Sequence, residues 1–82
     1  MKFTVEQIKD HFNLTRCYDG TRIFRGHDKR YIQMFGHTWI LNSVDERYSR
    51  AEFYNKELNA ALVGNLNRFR KDMVTVLYVK QL

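Results

Sequence analysis

Proline is absent from this 82-residue chain, cysteine occurs once, and no apolar run approaches the roughly 20 residues that cross a bilayer. Each absence excludes something. A lone thiol, Cys17, makes no internal disulfide, which fits a reducing compartment. The first twelve residues, MKFTVEQIKDHF, carry a charge every few positions and so read as neither a leader nor an anchor. The expectation is a cytoplasmic protein that does not insert into membranes. Gly20, Gly26, Gly36 and Gly64 have neither P-loop nor dinucleotide spacing. Cys17, His11, His27 and His37 lack the spacings of structural zinc sites, so neither metal nor cofactor is expected. No sequence context supplies a general base for Cys17. The carboxylates Asp45, Glu46, Glu52 and Glu57 have charged neighbours, as solvated groups do. Ser43 and Ser49 read as caps. No catalytic residue is assigned, and the chain is read as a non-enzyme.

What is present marks a folded protein. Hydrophobic residues make up 44% and aromatics 15% of the chain, too many for disorder. The length suits a single domain over 1–82, with a thin core burying roughly 60–65% of the unfolded surface. The net charge of +5 is unevenly spread. Residues 14–30 hold Arg16, Arg22, Arg25, Lys29 and Arg30 against Asp19 and Asp28. Residues 68–80 hold Arg68, Arg70, Lys71 and Lys80 against Asp72. Two such segments can build a positive face that attracts an acidic partner.

The pattern along the chain predicts an α+β fold: a short N-terminal helix, antiparallel hairpins, a long amphipathic helix and an apolar C-terminal strand. Thr4 and Gln7 form a capping box, Phe3 and Ile8 are placed for a staple, and Val5, Ile8 and Phe12 recur at helical spacing over 4–12. Residues 31–42 predict a hairpin turning at Gly36-His37, with Phe35 opposite Thr38, Met34 opposite Trp39 and Ile32 opposite Leu41. Its core side is then Ile32, Met34, Trp39 and Leu41. Ser49 and Glu52 suggest a second capping box. The stripe Ala51, Tyr54, Leu58, Ala61, Leu62, Leu66, Phe69 predicts a long helix to about residue 71, weakened at Gly64. Met73–Val79 is β-branched and continuous, predicting a central strand paired with the hairpin. Residues 14–26 stay open. Asp19-Gly20 suits a hairpin between Leu14–Tyr18 and Thr21–Arg25, but neither hairpin nor helix gives a clean apolar face.

Residues 3–16, FTVEQIKDHFNLTR, resemble the first helix and turn of a helix-turn-helix of the excisionase and MerR kind. That resemblance, extended to residue 26, implies a recognition helix over Thr15–Arg25, with the 31–42 hairpin as a wing and DNA as partner. Small, proline-free chains rich in Asn and Tyr also resemble the accessory proteins of bacteriophages and mobile elements. The favoured reading is a regulatory or inhibitory protein that binds a protein partner stoichiometrically through a basic-aromatic surface. That surface comprises Arg16, Tyr18, Arg22, Phe24, Arg25, Lys29, Arg30 and Tyr31, with Arg68, Arg70 and Lys71 as a secondary basic patch. The alternative is a small DNA- or RNA-binding regulator, since cations beside rings also suit phosphates and bases. A sheet edge offers a route to a homodimer.

Overall fold

A computed structural model of the chain describes residues 1–16, 20–26 and 30–82. Among the described residues there are one helix, α1 (Val5–Thr15), and seven strands. These are β1 (Thr21–Arg22), β2 (Phe24–Arg25), β3 (Arg30–Met34), β4 (His37–Asp45), β5 (Arg50–Asn55), β6 (Ala60–Leu66) and β7 (Met73–Gln81). All pairings are antiparallel and the sheet order is β1-β7-β6-β5-β4-β3-β2. The two terminal strands are halves of one extended segment, Thr21–Arg25, interrupted only at Ile23. Its first half pairs with β7 and its second with β3, so this segment nearly closes the sheet into a barrel. Ile23 itself donates its backbone N–H to the Asp72 carbonyl at 2.6 Å. Closure in this way covers sheet edges that would otherwise pair with another chain.

The long helix of the α+β expectation does not exist: residues 50–55 and 60–66 are β5 and β6. Two short turns separate these strands from their neighbours. Glu46–Ser49 joins β4 to β5, and Lys56–Asn59 joins β5 to β6. Each ends on a residue with positive φ, Ser49 at 52° and Asn59 at 49°, and each closes on a backbone bond back to its first residue. Ser49 is therefore a turn residue and not a helix cap. Asn55 fixes the second turn, accepting from the Leu58 N–H at 2.8 Å and donating to the Thr38 carbonyl at 3.1 Å. The Met73–Val79 run is a strand as expected, but its neighbours are β6 and β1, not the 31–42 hairpin.

That hairpin forms with its turn one residue earlier than expected. Phe35 and Gly36 occupy it, both at positive φ (57° and 77°), as a type I′ turn requires. Met34 then faces His37 and Ile32 faces Trp39. This shift of two in the pairing preserves which face each side chain takes, because strand side chains alternate with period two. Ile32, Met34 and Trp39 are buried, and the Trp39 indole donates to the Met34 carbonyl at 3.0 Å. Phe35 tolerates its strained position within an aromatic cluster, 5.4 Å from Phe3, 5.7 Å from Phe12 and 5.3 Å from His11. Gly36 cannot carry a side chain, since a Cβ there would lie 2.8 Å from the Lys2 Cα.

The inner face holds Ile32, Trp39, Phe53, Leu62, Val74 and Val76, all fully buried. Two bulges keep the alternation in phase with the curvature. One leaves Asn42 unpaired on β4; the other leaves Leu77 unpaired on β7, after which burial passes from Val76 to Val79. At the second bulge Gly64 lets β6 and β7 approach closely. A Cβ there would sit 2.6 Å from the Thr75 carbonyl oxygen. The helix α1 has its Thr4–Gln7 capping box in place and buries Val5, Ile8 and Phe12, packing against β7 and the Phe35 turn. It extends to Thr15, and Arg16 caps it at φ 66°. Among the described residues no helix is long and apolar enough to cross a membrane.

Candidate functional site

The antiparallel order places the β3–β4 and β5–β6 turns at the end of the barrel that α1 covers. The start of β3, the β4–β5 turn and the β6–β7 connection lie at the opposite end, the mouth. There the Leu66 N–H donates to the Ser49 carbonyl at 2.7 Å, tying two connections together. Asn67 shapes the β6–β7 connection. Its side-chain oxygen accepts from the backbone N–H groups of Phe69 at 2.8 Å and Arg70 at 2.9 Å, and Met73 N–H closes back on the Arg70 carbonyl. The turn so fixed projects Phe69, which is 94% exposed, between Arg68 and Arg70. On the adjoining turn Tyr48 is 66% exposed beside Arg47.

Between these turns the mouth opens into a pocket of about 350 Å³. Its apolar wall is Ile23, Leu41, Val44 and Leu66, and its polar lining is Arg30, Arg68, Lys71, Glu46, Ser49 and Asn67. A neighbouring cleft of about 230 Å³ shares Ile23, Arg30 and Lys71 and adds Phe24, Arg25 and Asp72. The strand alternation explains this lining. Arg25 and Arg30 stand two residues from the buried Ile23 and Ile32, so they continue the core face past the end of the core.

Charge at the mouth is one-sided. Among the described residues it carries eight cations (Arg22, Arg25, Arg30, Arg47, Arg50, Arg68, Arg70, Lys71) against three carboxylates (Asp45, Glu46, Asp72), an excess equal to the chain's whole net charge of +5. Asp72 lies 3.9 Å from Arg22 and 3.8 Å from Arg70. The other six cations have no acidic partner within 4 Å among the described residues. Arg25 and Arg30 are direct cross-strand partners, an arrangement that is destabilising unless an anion neutralises it. On the outer face beside them Phe24 and Tyr31 stack at 5.5 Å, and the Arg22 guanidinium lies 5.5 Å over the Phe24 ring.

The structure thus unites Arg22, Phe24, Arg25, Arg30 and Tyr31 with the secondary patch of Arg68, Arg70 and Lys71 at one end of the barrel. Arg16 is the helix cap, and nothing places it with the others. Tyr18 and Lys29 lie outside the described residues. Sequence reasoning missed Phe69 and Tyr48. It assigned Phe69 to a buried helical stripe, although the run Asn-Arg-Phe-Arg-Lys, an Asx-turn former followed by a ring among cations, was a readable signal.

Fold and site together define a small, nearly closed antiparallel barrel, plugged at one end by a helix and bearing its positive charge at the other. Comparison with known proteins finds no matching family model, no matching curated protein and no matching solved structure.

Proposed function

We propose that the chain is a non-enzymatic regulatory protein that grips single-stranded nucleic acid at the barrel mouth. The observation that carries this reading is the set of six cations that make no ion pair within 4 Å among the described residues, beside two projecting rings, Phe69 and Tyr48. A single strand offers that site both of its complements, phosphates for the cations and unstacked bases for the rings. A duplex offers phosphates but hides its base faces. The cations also sit on strand ends and turns, and Thr21–Arg25, the last part of the Thr15–Arg25 segment that the helix-turn-helix resemblance makes a recognition helix, is extended. An acidic protein surface would match the charge. It would give less reason for the Arg25–Arg30 opposition, which a closely spaced polyanion relieves best.

Fluorescence anisotropy with labelled thymidine, RNA and duplex oligomers across a salt series tests the proposal. Each phosphate neutralised on a single strand contributes about −0.7 to the slope of log K against log salt. Engagement of four of the six cations gives a slope of about −3, so affinity falls roughly 50-fold between 50 and 200 mM salt. The expected order is single strand over duplex. No binding of any oligomer at 50 mM salt refutes the reading. Partners captured from extract that survive nuclease treatment would then favour an acidic protein.

A further inference from the structure

We infer that the mouth pocket is a subsite for one nucleobase, taken out of the bound strand and seated against Ile23, Leu41, Val44 and Leu66. This inference rests on the nucleic-acid reading and deepens it.

Trp39, Phe53 and Leu62 fill the barrel interior and are fully buried, so a strand cannot thread through the barrel and the pocket is entered from the mouth. At about 350 Å³ it lies at the small end of ligand pockets, roughly 300–1,000 Å³, with room for one nucleoside. Its chemistry is divided as a nucleotide is divided. The aliphatic wall suits the apolar face of a flat base. Arg30, Arg68 and Lys71 line the same cavity and make no ion pair within 4 Å among the described residues, so a phosphate attached to that base can be held there. Glu46 is the one carboxylate among the described residues of the lining. It repels phosphate, which leaves the phosphate to the arginine and lysine side. It also accepts hydrogen bonds, which suits the exocyclic amino group of cytosine or adenine better than the carbonyls of thymine. Tyr48 and Phe69, on the turns flanking the pocket, are placed for the bases on either side of the seated one.

The test compares a ten-residue cytidine oligomer with an abasic ten-mer carrying the same phosphates. In the native protein the cytidine oligomer should bind at least tenfold more tightly. Val44→Trp places a large side chain in the pocket from a position already 43% exposed. It should reduce that difference several-fold, leaving the part supplied by stacking on Phe69 and Tyr48, while abasic binding falls less because cations outside the pocket still hold the phosphates. An undiminished difference in Val44→Trp overturns the subsite and leaves the nucleic-acid reading standing. Failure of both oligomers to bind at low salt overturns the reading itself. A titration of the native protein with cytidine monophosphate, followed through methyl resonances, decides the matter if the variant does not fold. The methyls of Leu41, Val44 and Leu66 should move in a saturable way, and methyls that stay fixed refute the subsite.

Discussion

Replacing Arg25 with Gln should make the protein more stable and a weaker binder at the same time. Arg25 and Arg30 face each other across β2 and β3. Directly opposed side chains on antiparallel strands have Cβ atoms about 4.5–5.5 Å apart, and a like-charged pair there costs up to about 1 kcal/mol. Both arginines are exposed, so the heads can diverge into solvent and the lower part of that range applies, about 0.3–0.5 kcal/mol. For a chain of this size 1 kcal/mol moves the melting temperature by about 4–8 °C, so the expected gain is about 1–4 °C at low ionic strength. Gln keeps two of the methylenes and a hydrogen-bonding head, which limits other changes. The effect should vanish in 1 M salt, where the screening length is about 3 Å. Arg30→Gln should produce a similar gain, and the double variant should gain less than the two single gains combined, because each single change already removes the repulsion. Calorimetry in low and high salt measures all of this. The same variants should bind a thymidine oligomer with a salt slope shallower by about 0.7 per lost charge. A lower melting temperature for Arg25→Gln at low salt, or a gain that survives 1 M salt, refutes the account of this pair.

Four further changes probe other parts of the molecule. Gly64→Ala should destabilise by about 1–3 kcal/mol in chemical denaturation, because the new methyl meets the Thr75 carbonyl within the β6–β7 pairing; the long helix expected from sequence demands the opposite sign, a gain of about 1 kcal/mol. Asn55→Ala should cost about 1–3 kcal/mol by stranding the Leu58 N–H and the Thr38 carbonyl, and an unchanged midpoint would show that the turn does not depend on them. Phe69→Ala should leave the melting temperature within error, since the ring is 94% exposed, yet weaken single-strand binding about tenfold in anisotropy. Glu46→Gln should narrow the preference of the protein for cytidine over thymidine oligomers; an unchanged ratio removes Glu46 from base recognition.

The parts of the fold that could be read from sequence are those whose signals are local. The Thr4–Gln7 capping box closes within four residues, and the 31–42 hairpin alternates cleanly around a glycine. The second half of the chain misleads because two periodicities coincide. Ala51, Tyr54, Leu58, Ala61, Leu62 and Leu66 fall at helical spacing, whereas the true inner faces run Ala51, Phe53, Asn55 and Ala60, Leu62, Gly64. Asn55 and Gly64 interrupt those inner faces with a polar group and an absent side chain. Ala61 and Val63 are buried on the outer face as well, so β6 shows no alternation at all. The turns carry neither proline nor glycine; Ser49 and Asn59 take the left-handed conformation instead. For the site, the basic residues were legible but their meeting was not. Arg30 and Lys71 are forty-one positions apart and come to line one pocket only because the sheet curls into a ring.

That ring is joined by a very small overlap. Thr21–Arg25 contributes two cross-strand pairs to β7 and two to β3, and this short clasp completes a circuit whose other strands share four to seven pairs each. A hoop fastened so lightly parts first at its fastening. The clasp also holds Arg25, which lines the same cleft as Lys71. In the proposed complex a polyanion lying from one side to the other would act as a latch, so that grip on the ligand and integrity of the barrel would be set by one and the same joint.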